Sequence, residues 1–369
     1  IDYLKKSKII YEEVGLIFLN HSLHKASTWL TKDVIKALLK IYKYDILKNM
    51  NQANEAGLPH PKLVQLFNRY ATYNGSNPYK APGILNSIPH LEHNIGAFFP
   101  KGGMHSITEA LVKLNLDLGV KFKFNSSVDE IVVDNNSVVG VKSNGEFLNA
   151  DHVISNMDVY HTYNQLLPQC KVPHQIRKQE RSSSALIYYW GIKKEFKELG
   201  LHNIFFSEDY RSEFNYLFNK KDLYHDPTVY INITSKLNPA DAPAGHENWF
   251  VMVNAPCNEG QNWEEIKDKT RKSVVAKISR ILKTDIEYLI ETQEVLEPLS
   301  IESKTSSYKG SLYGTSSNSK LAAFLRHPNF SSKINGLYFC GGSVHPGGGI
   351  PLCLLSGKIV ANHVYQISN

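Results

Sequence analysis

The stretch Gly336–Asn362, GLYFCGGSVHPGGGIPLCLLSGKIVAN, reads as an apolar strand, a glycine-dense loop and a helix. LYFC is apolar enough for an inner strand of a parallel sheet. Gly341 and Gly342 permit close backbone approach, and His345-Pro346 fixes the turn ahead of three further glycines. A helix N-terminus with free N–H groups follows, a natural seat for a phosphate or an electron-rich ring edge. No strand–GxGxxG–helix unit lies upstream, so the usual opening element of a dinucleotide-binding chain is not in this sequence.

Working outward, Gly96–Asp158 carries the pattern of the second half of a nucleotide-binding α/β domain. A Gly102-Gly103 turn precedes a helix with Met104, Ile107, Leu111, Leu114 and Leu118 on one face, ended by Gly119. VKFKF (120–124) is expected as a strand. Runs at 128–133, 138–141 and 146–148, separated by Asn135-Asn136 and Asn144-Gly145, predict an antiparallel meander, after which HVISN returns as a buried strand.

Farther along, SSALIYYWGI, HNIFFS, TVYINITS and NWFVMVNAP predict four strands, and NWEEIKDKTRKSVVAKISRILK a covering helix. Residues 9–56 read as helical, with Lys32, Lys36, Lys40 and Lys43 among apolar positions. Such basic amphipathic helices suit a membrane interface as well as a soluble subdomain.

The chain has 369 residues, a net charge of +6 and an aromatic fraction of 11% with 20 Tyr. The positive charge is dispersed rather than clustered, which argues against nucleic acid. Four cysteines, Cys170, Cys257, Cys340 and Cys353, form no CxxC pair, which argues against zinc and a disulfide framework and favours a reducing cytoplasm. HLEH (90–93) and HSLH (21–24) lack HExxH spacing, so no metal site is expected. There is no GxSxG elbow, no GxxxxGK[ST] loop and no apolar run of about 18 residues able to span a bilayer.

These motifs together resemble bacterial carotenoid desaturases of the phytoene desaturase type, FAD-dependent members of the amine-oxidase-like flavoproteins. The resemblance rests on RYATYNGSNPYKAPGILNSIPHLE, FFPKGGMHSITEALVKL, VISNMDVYHTYNQLLP, RSSSALIYYWGI and LRHPNFSSKINGLYFCGGSVHPGGGIPLCLLSGKIVAN. It implies an α/β fold: an incomplete Rossmann-like FAD-binding domain lacking its first βαβ unit, an inserted α+β substrate domain and a helical N-terminal region. The expected divisions are 1–95 for the helical, cavity-forming and membrane-contacting region, 96–160 and 309–369 for the FAD domain, and 161–308 for the substrate domain. An N-terminally truncated chain is the expectation.

As cofactor neighbours the resemblance marks Gly342, Ser343, His345, Pro346, Gly347, Gly348, Gly349 and Ile350. It adds Val128 facing the adenine, and Asn156 and Asp158 of SNMD close to the flavin. It implies FAD-dependent desaturation of a polyene, phytoene or a derivative, at a cytoplasmic membrane surface, by hydride loss to the flavin and proton loss from the neighbouring carbon. A hydroxylated or methoxylated carotenoid substrate, amine oxidation, and a non-catalytic polyene-binding remnant remain as alternatives. Tyr70, Tyr73, Phe98, Phe99 and Tyr313 are tunnel-wall candidates, and His90, His105 and Glu92 candidate bases.

Overall fold

A computed structural model describes residues 1–319 and 326–368. Residues 320–325 and 369, which fall in the expected C-terminal segment of the FAD domain, lie outside the described residues. Ten strands form three sheets among the described residues.

The largest sheet has the order β6-β7-β8-β5-β9 and is antiparallel throughout, built from β5 (Ser184–Ile192), β6 (His202–Phe205), β7 (Val229–Ile233), β8 (Glu247–Ala255) and β9 (Ile290–Leu296). Alternation explains its one-sided packing. Val229, Ile231 and Ile233 on β7 and Trp249, Val251 and Val253 on β8 are buried, and the residues between them are not all so. Helix Trp263–Leu282 covers that face through Trp263, Val274 and Ile278, and Asn262 caps it by accepting from Glu265 N–H. Four strands were expected here. β9 adds a fifth because it is an exposed edge strand, IETQEVL, whose polar residues give no buried alternation to read.

β1 (Val128–Asp134), β2 (Ser137–Ser143) and β3 (Glu146–Asn149) form the meander. Its turns use Asn135 and Asn136, then Asn144 and Gly145, all at positive φ, as two-residue hairpin turns require. VKFKF is not a strand: no ladder partner reaches residues 120–124, and they stay exposed. β4 (Val153–Ser155) does return after the meander and pairs in parallel with β10 (Leu337–Phe339). It is not the buried strand expected, since Ile154 is 49% exposed.

Residues Asp2–Asn20 wind as consecutive helical turns, with a wider π turn at Tyr11–Gly15. This N-terminal run reaches the C-terminal loop. His345, fully buried, donates from Nε2 to the carbonyl of His21 at 2.9 Å and meets the Phe18 ring edge-on at 4.9 Å. His327 beside it donates from Nδ1 to Pro328 O and lies 3.2 Å from the Tyr163 hydroxyl. Burial pushes both imidazoles down to about 4, with His24 acting in the same direction on each and Arg326 on His345.

This depression fixes the sign of a pH dependence. The unfolded chain takes up protons near the ordinary histidine value while the folded chain refuses them until about 4, so stability is lost as pH falls between those limits. Urea unfolding should show a loss of about 2 kcal/mol for each histidine between about pH 7 and about pH 5. His345→Gln, which keeps an N–H donor, should flatten the slope by one histidine's share.

Candidate functional site

Parallel pairing of β4 with β10 sets the site. Both strands end on the same side, so the turn Asn156–Asp158 and the loop Cys340–Gly349 emerge next to each other at the carboxyl ends of parallel strands, where α/β sheets bind ligands. Cys340 N–H donates to Ser155 O at 3.0 Å, the Cys340 thiol lies 3.7 Å from Asn156 Oδ1, and Val159 N–H donates to Ser343 Oγ at 3.0 Å.

Two glycines explain the loop's composition. A Cβ on Gly348 would lie 2.6 Å from the Cα of Tyr313, so only glycine permits this backbone approach. Gly349, at φ +103°, would meet nothing within 4 Å among the described residues, leaving open space over the start of helix Ile350–Ser368. Pro346, Gly347 and Gly348 are buried, while Ile350 is 52% exposed.

Beneath the loop lie two buried arginines that the sequence reading did not single out. Arg326 donates to the carbonyls of Thr315 at 2.7 Å, Tyr313 at 3.1 Å and Gly342 at 3.4 Å, and its guanidinium sits under Gly347. Burial, with the nearby Arg181 charge, lowers its pKa to about 10, so it remains cationic at neutral pH. Arg181 pairs through Nη1 with Asp158 Oδ2 at 3.4 Å and lies 4.7 Å from the Tyr308 ring, which stacks on Tyr160 at 3.6 Å. Its Nε and Nη2 are buried and have no hydrogen-bond partner among the described residues. Asp158 Oδ1 accepts from Tyr160 N–H at 2.9 Å, so one carboxylate serves both the turn and the arginine.

The structure therefore gathers Asn156, Asp158, Gly342, Ser343, His345, Pro346, Gly347, Gly348, Gly349 and Ile350 into one region. Val128 stands apart from them in the meander sheet, half-buried at the start of β1 and paired with Ser143. Phe18, His21 and His24 join the region by packing on His345. His21 also lines a cavity of about 390 Å³ that includes Leu16, Ile17 and Tyr44. Arg326 stood within a quoted motif, and only its burial distinguishes it from a surface arginine.

The candidate bases are placed differently. Glu92 accepts from the Tyr70 and Tyr73 hydroxyls, His90 is buried with Nδ1 2.7 Å from Asn94 Nδ2, and His105 is exposed beside Glu109. Phe98 is 84% exposed, Phe99 and Tyr313 half-buried. No group of three or more potential ligands that could hold a metal occurs among the described residues.

A flavin fits this arrangement. The open space over Gly349, the free helix N–H groups and the orphaned Arg181 N–H groups suit an anionic or electron-rich group, and the buried loop excludes water from one side.

The family model for flavin containing amine oxidoreductases matches residues 52–365. The chain is 55% identical over 360 residues to the 1-hydroxycarotenoid 3,4-desaturase of a Flavobacterium species, covering 98% of this chain and 74% of the relative. It is 34% identical over 332 residues to the 4,4'-diapolycopene oxygenase of a Methylomonas species, covering 89% and 67%. An oxidoreductase structure from Methanosarcina mazei shares the fold with a TM-score of 0.57 at 15% identity, over 91% of this chain and 74% of that one. With its glycine loop at the ends of parallel strands and a family match across most of its length, the chain belongs to the flavin-containing amine oxidoreductases, on their carotenoid-desaturase-like branch.

Proposed function

We propose that the protein is an FAD-dependent oxidoreductase that desaturates a carotenoid, phytoene or a derivative, in carotenoid biosynthesis. The 55% identity to a carotenoid desaturase over nearly the whole chain supports the reaction class. The observation that carries the cofactor is the loop itself: a glycine packed on Tyr313 followed by one that leaves the helix N-terminus open.

Bound FAD supplies a two-electron acceptor. Gly342, Gly349 and Ile350, the accessible part of the loop, would hold it, backed by the buried Ser343, His345, Pro346, Gly347 and Gly348, with Asn156 and Asp158 alongside and Val128 proposed for the adenine. Ser343 and Asp158 hold this surface in place by bonding the same turn, and Arg326 fixes the loop from below. His345 is neutral at working pH and donates to His21 O, so it orients the N-terminal helix rather than supplying charge. The polyene is held along aromatic walls, where exclusion of water and alignment of an allylic carbon provide most of the protein's contribution. The substrate would give up a hydride to that acceptor and a proton from the neighbouring carbon to a basic group or water at the site, leaving a new C=C bond.

The domain divisions 1–95, 96–160, 161–308 and 309–369 belong to this reading, as does an FAD domain whose Rossmann-like sheet is incomplete in this sequence. Exposed apolar faces support it. Helix His105–Asp117 has no buried residue, with Leu114 53% exposed, and Ile154 of β4 is likewise open. A further βαβ unit would cover such faces.

A hydroxylated carotenoid is a second reading of the substrate, favoured by the name of the 55% identical relative. Peripheral attachment at the cytoplasmic membrane surface is also proposed. No helix of the described residues is long and apolar enough to cross a membrane. Exposed Leu30, Ile35, Leu38, Leu39 and Leu47 near Lys32, Lys36 and Lys43 support binding to an anionic surface.

Three outcomes are expected. Enzyme produced with phytoene, and in parallel with hydroxylated carotenoids, should yield a product with a longer conjugated system, seen as a red-shifted spectrum; unchanged pigment in every case would overturn the reading. Gly348→Val should reduce flavin retention at least about tenfold, read from visible absorbance of the purified protein, because its side chain must displace Tyr313. Cosedimentation with vesicles rich in anionic lipid should fall when salt is raised, because lysine–headgroup attraction is screened.

A further inference from the structure

The segment Arg69–Asn74 puts the Tyr70 ring into a small core with Met50, Ala71 and Ala81, while the Tyr70 and Tyr73 hydroxyls form a polar cluster that the flavin loop does not use. It runs into Gly75, where a Cβ would come 2.8 Å from the Tyr313 ring, and Tyr313 in turn packs on Gly348. The segment thus reaches the loop through Gly75 and Tyr313. Tyr70 donates its hydroxyl to Glu92 Oε1 at 2.8 Å, and Tyr73 donates to Oε2 at 2.9 Å. His93 Nε2 lies 2.9 Å from the Tyr70 hydroxyl.

Arg69 is 6% exposed, lies 5.3 Å from the Tyr230 ring and forms no ion pair among the described residues. Its charge counteracts the burial that raises the Tyr73, Tyr230 and Tyr313 hydroxyls, which places it among all three. Around the cluster the surface is apolar. Leu66, Leu91, Ile95 and Phe98 are exposed, and the Phe67 ring packs on Tyr70 and His93.

A carboxylate has about four lone-pair sites, and the two phenols occupy one on each oxygen. Water can serve the remainder, since Glu92 is half-buried and Tyr73 is 45% exposed. A polyene entering this apolar surface displaces that water. A hydrocarbon end would leave the carboxylate desolvated and under-bonded; an end bearing a hydroxyl supplies the missing donor.

We infer that Glu92, positioned by Tyr70 and Tyr73, determines specificity by accepting a hydrogen bond from a hydroxyl on the end of the polyene substrate. The inference rests on the carotenoid reading above and assigns the residue that separates oxygenated from hydrocarbon polyenes.

The test compares flavin-loaded enzyme acting in vesicles on a carotenoid with a terminal hydroxyl and on its hydrocarbon counterpart. The unmodified enzyme should favour the hydroxylated substrate by at least about tenfold in kcat/KM. Glu92→Leu should remove most of that preference, chiefly through a higher KM for the hydroxylated substrate. Glu92→Gln, which keeps an uncharged acceptor, should restore part of it. Thermal melting reports whether Glu92→Leu folds. If it does not, Tyr73→Phe decides by the same ratio, with an expected loss of about threefold.

An unchanged ratio, or an equal loss on both substrates, overturns the inference and leaves the desaturase reading intact. If the unmodified enzyme desaturates neither polyene, that reading fails instead. Quenching of protein fluorescence by the two polyenes then tests the inference on its own: tighter binding of the hydroxylated one, lost in Glu92→Leu, supports it, and equal binding overturns it.

Discussion

A guanidinium buried under glycine holds the site together. Arg326 gives its N–H groups to the carbonyls of Tyr313, Thr315 and Gly342, tying the stretch before residues 320–325 to the loop after β10. Unpaired buried carbonyls and an unpaired buried cation would each be costly, so the mutual arrangement leaves little freedom to either segment. Gly348 can then lie on the Tyr313 backbone and Gly314 against Ser343, contacts that no larger residue would allow.

Charge at the site follows from the same arrangement. Arg181 and Arg326 lie close enough for the first to lower the pKa of the second, yet Asp158 forms the one ion pair with either among the described residues. The region is therefore electropositive before any ligand arrives, and the N-terminal end of helix Ile350–Ser368 adds to it. Neutral His345 does not, which spares the site a third buried cation.

Elements with a strong local period were the ones legible in the sequence. The meander turns were visible because Asn-Asn and Asn-Gly leave few alternatives, and four strands of the large sheet because buried β-branched and aromatic runs are hard to mistake. β9 escaped because its edge position makes it polar, and VKFKF misled because its alternation has no partner to pair with. The loop from Gly342 to Gly349 was legible as a string. Arg181, Arg326, Phe18 and His21 were not, because their part depends on contacts made across large sequence separations: 324 residues in the case of His345 and His21.

The contrast between the flavin loop and the Glu92 cluster bears on how substrate choice can vary while chemistry stays fixed. The flavin-side wall is built from backbone, glycine and buried arginine, where nearly every substitution meets a clash or an orphaned carbonyl. The cluster of Tyr70, Tyr73, Glu92 and His93 is made instead of side chains on short 3₁₀ and π turns, with the Tyr70 ring buried and the others partly open, bonded chiefly to one another. Exchanging those polar groups for apolar ones would cost the fold little, because paired partners can be replaced together without leaving buried groups unsatisfied. Such a division lets the loop remain constant while the polar cluster varies with the polarity of the polyene's end, on the inference drawn above.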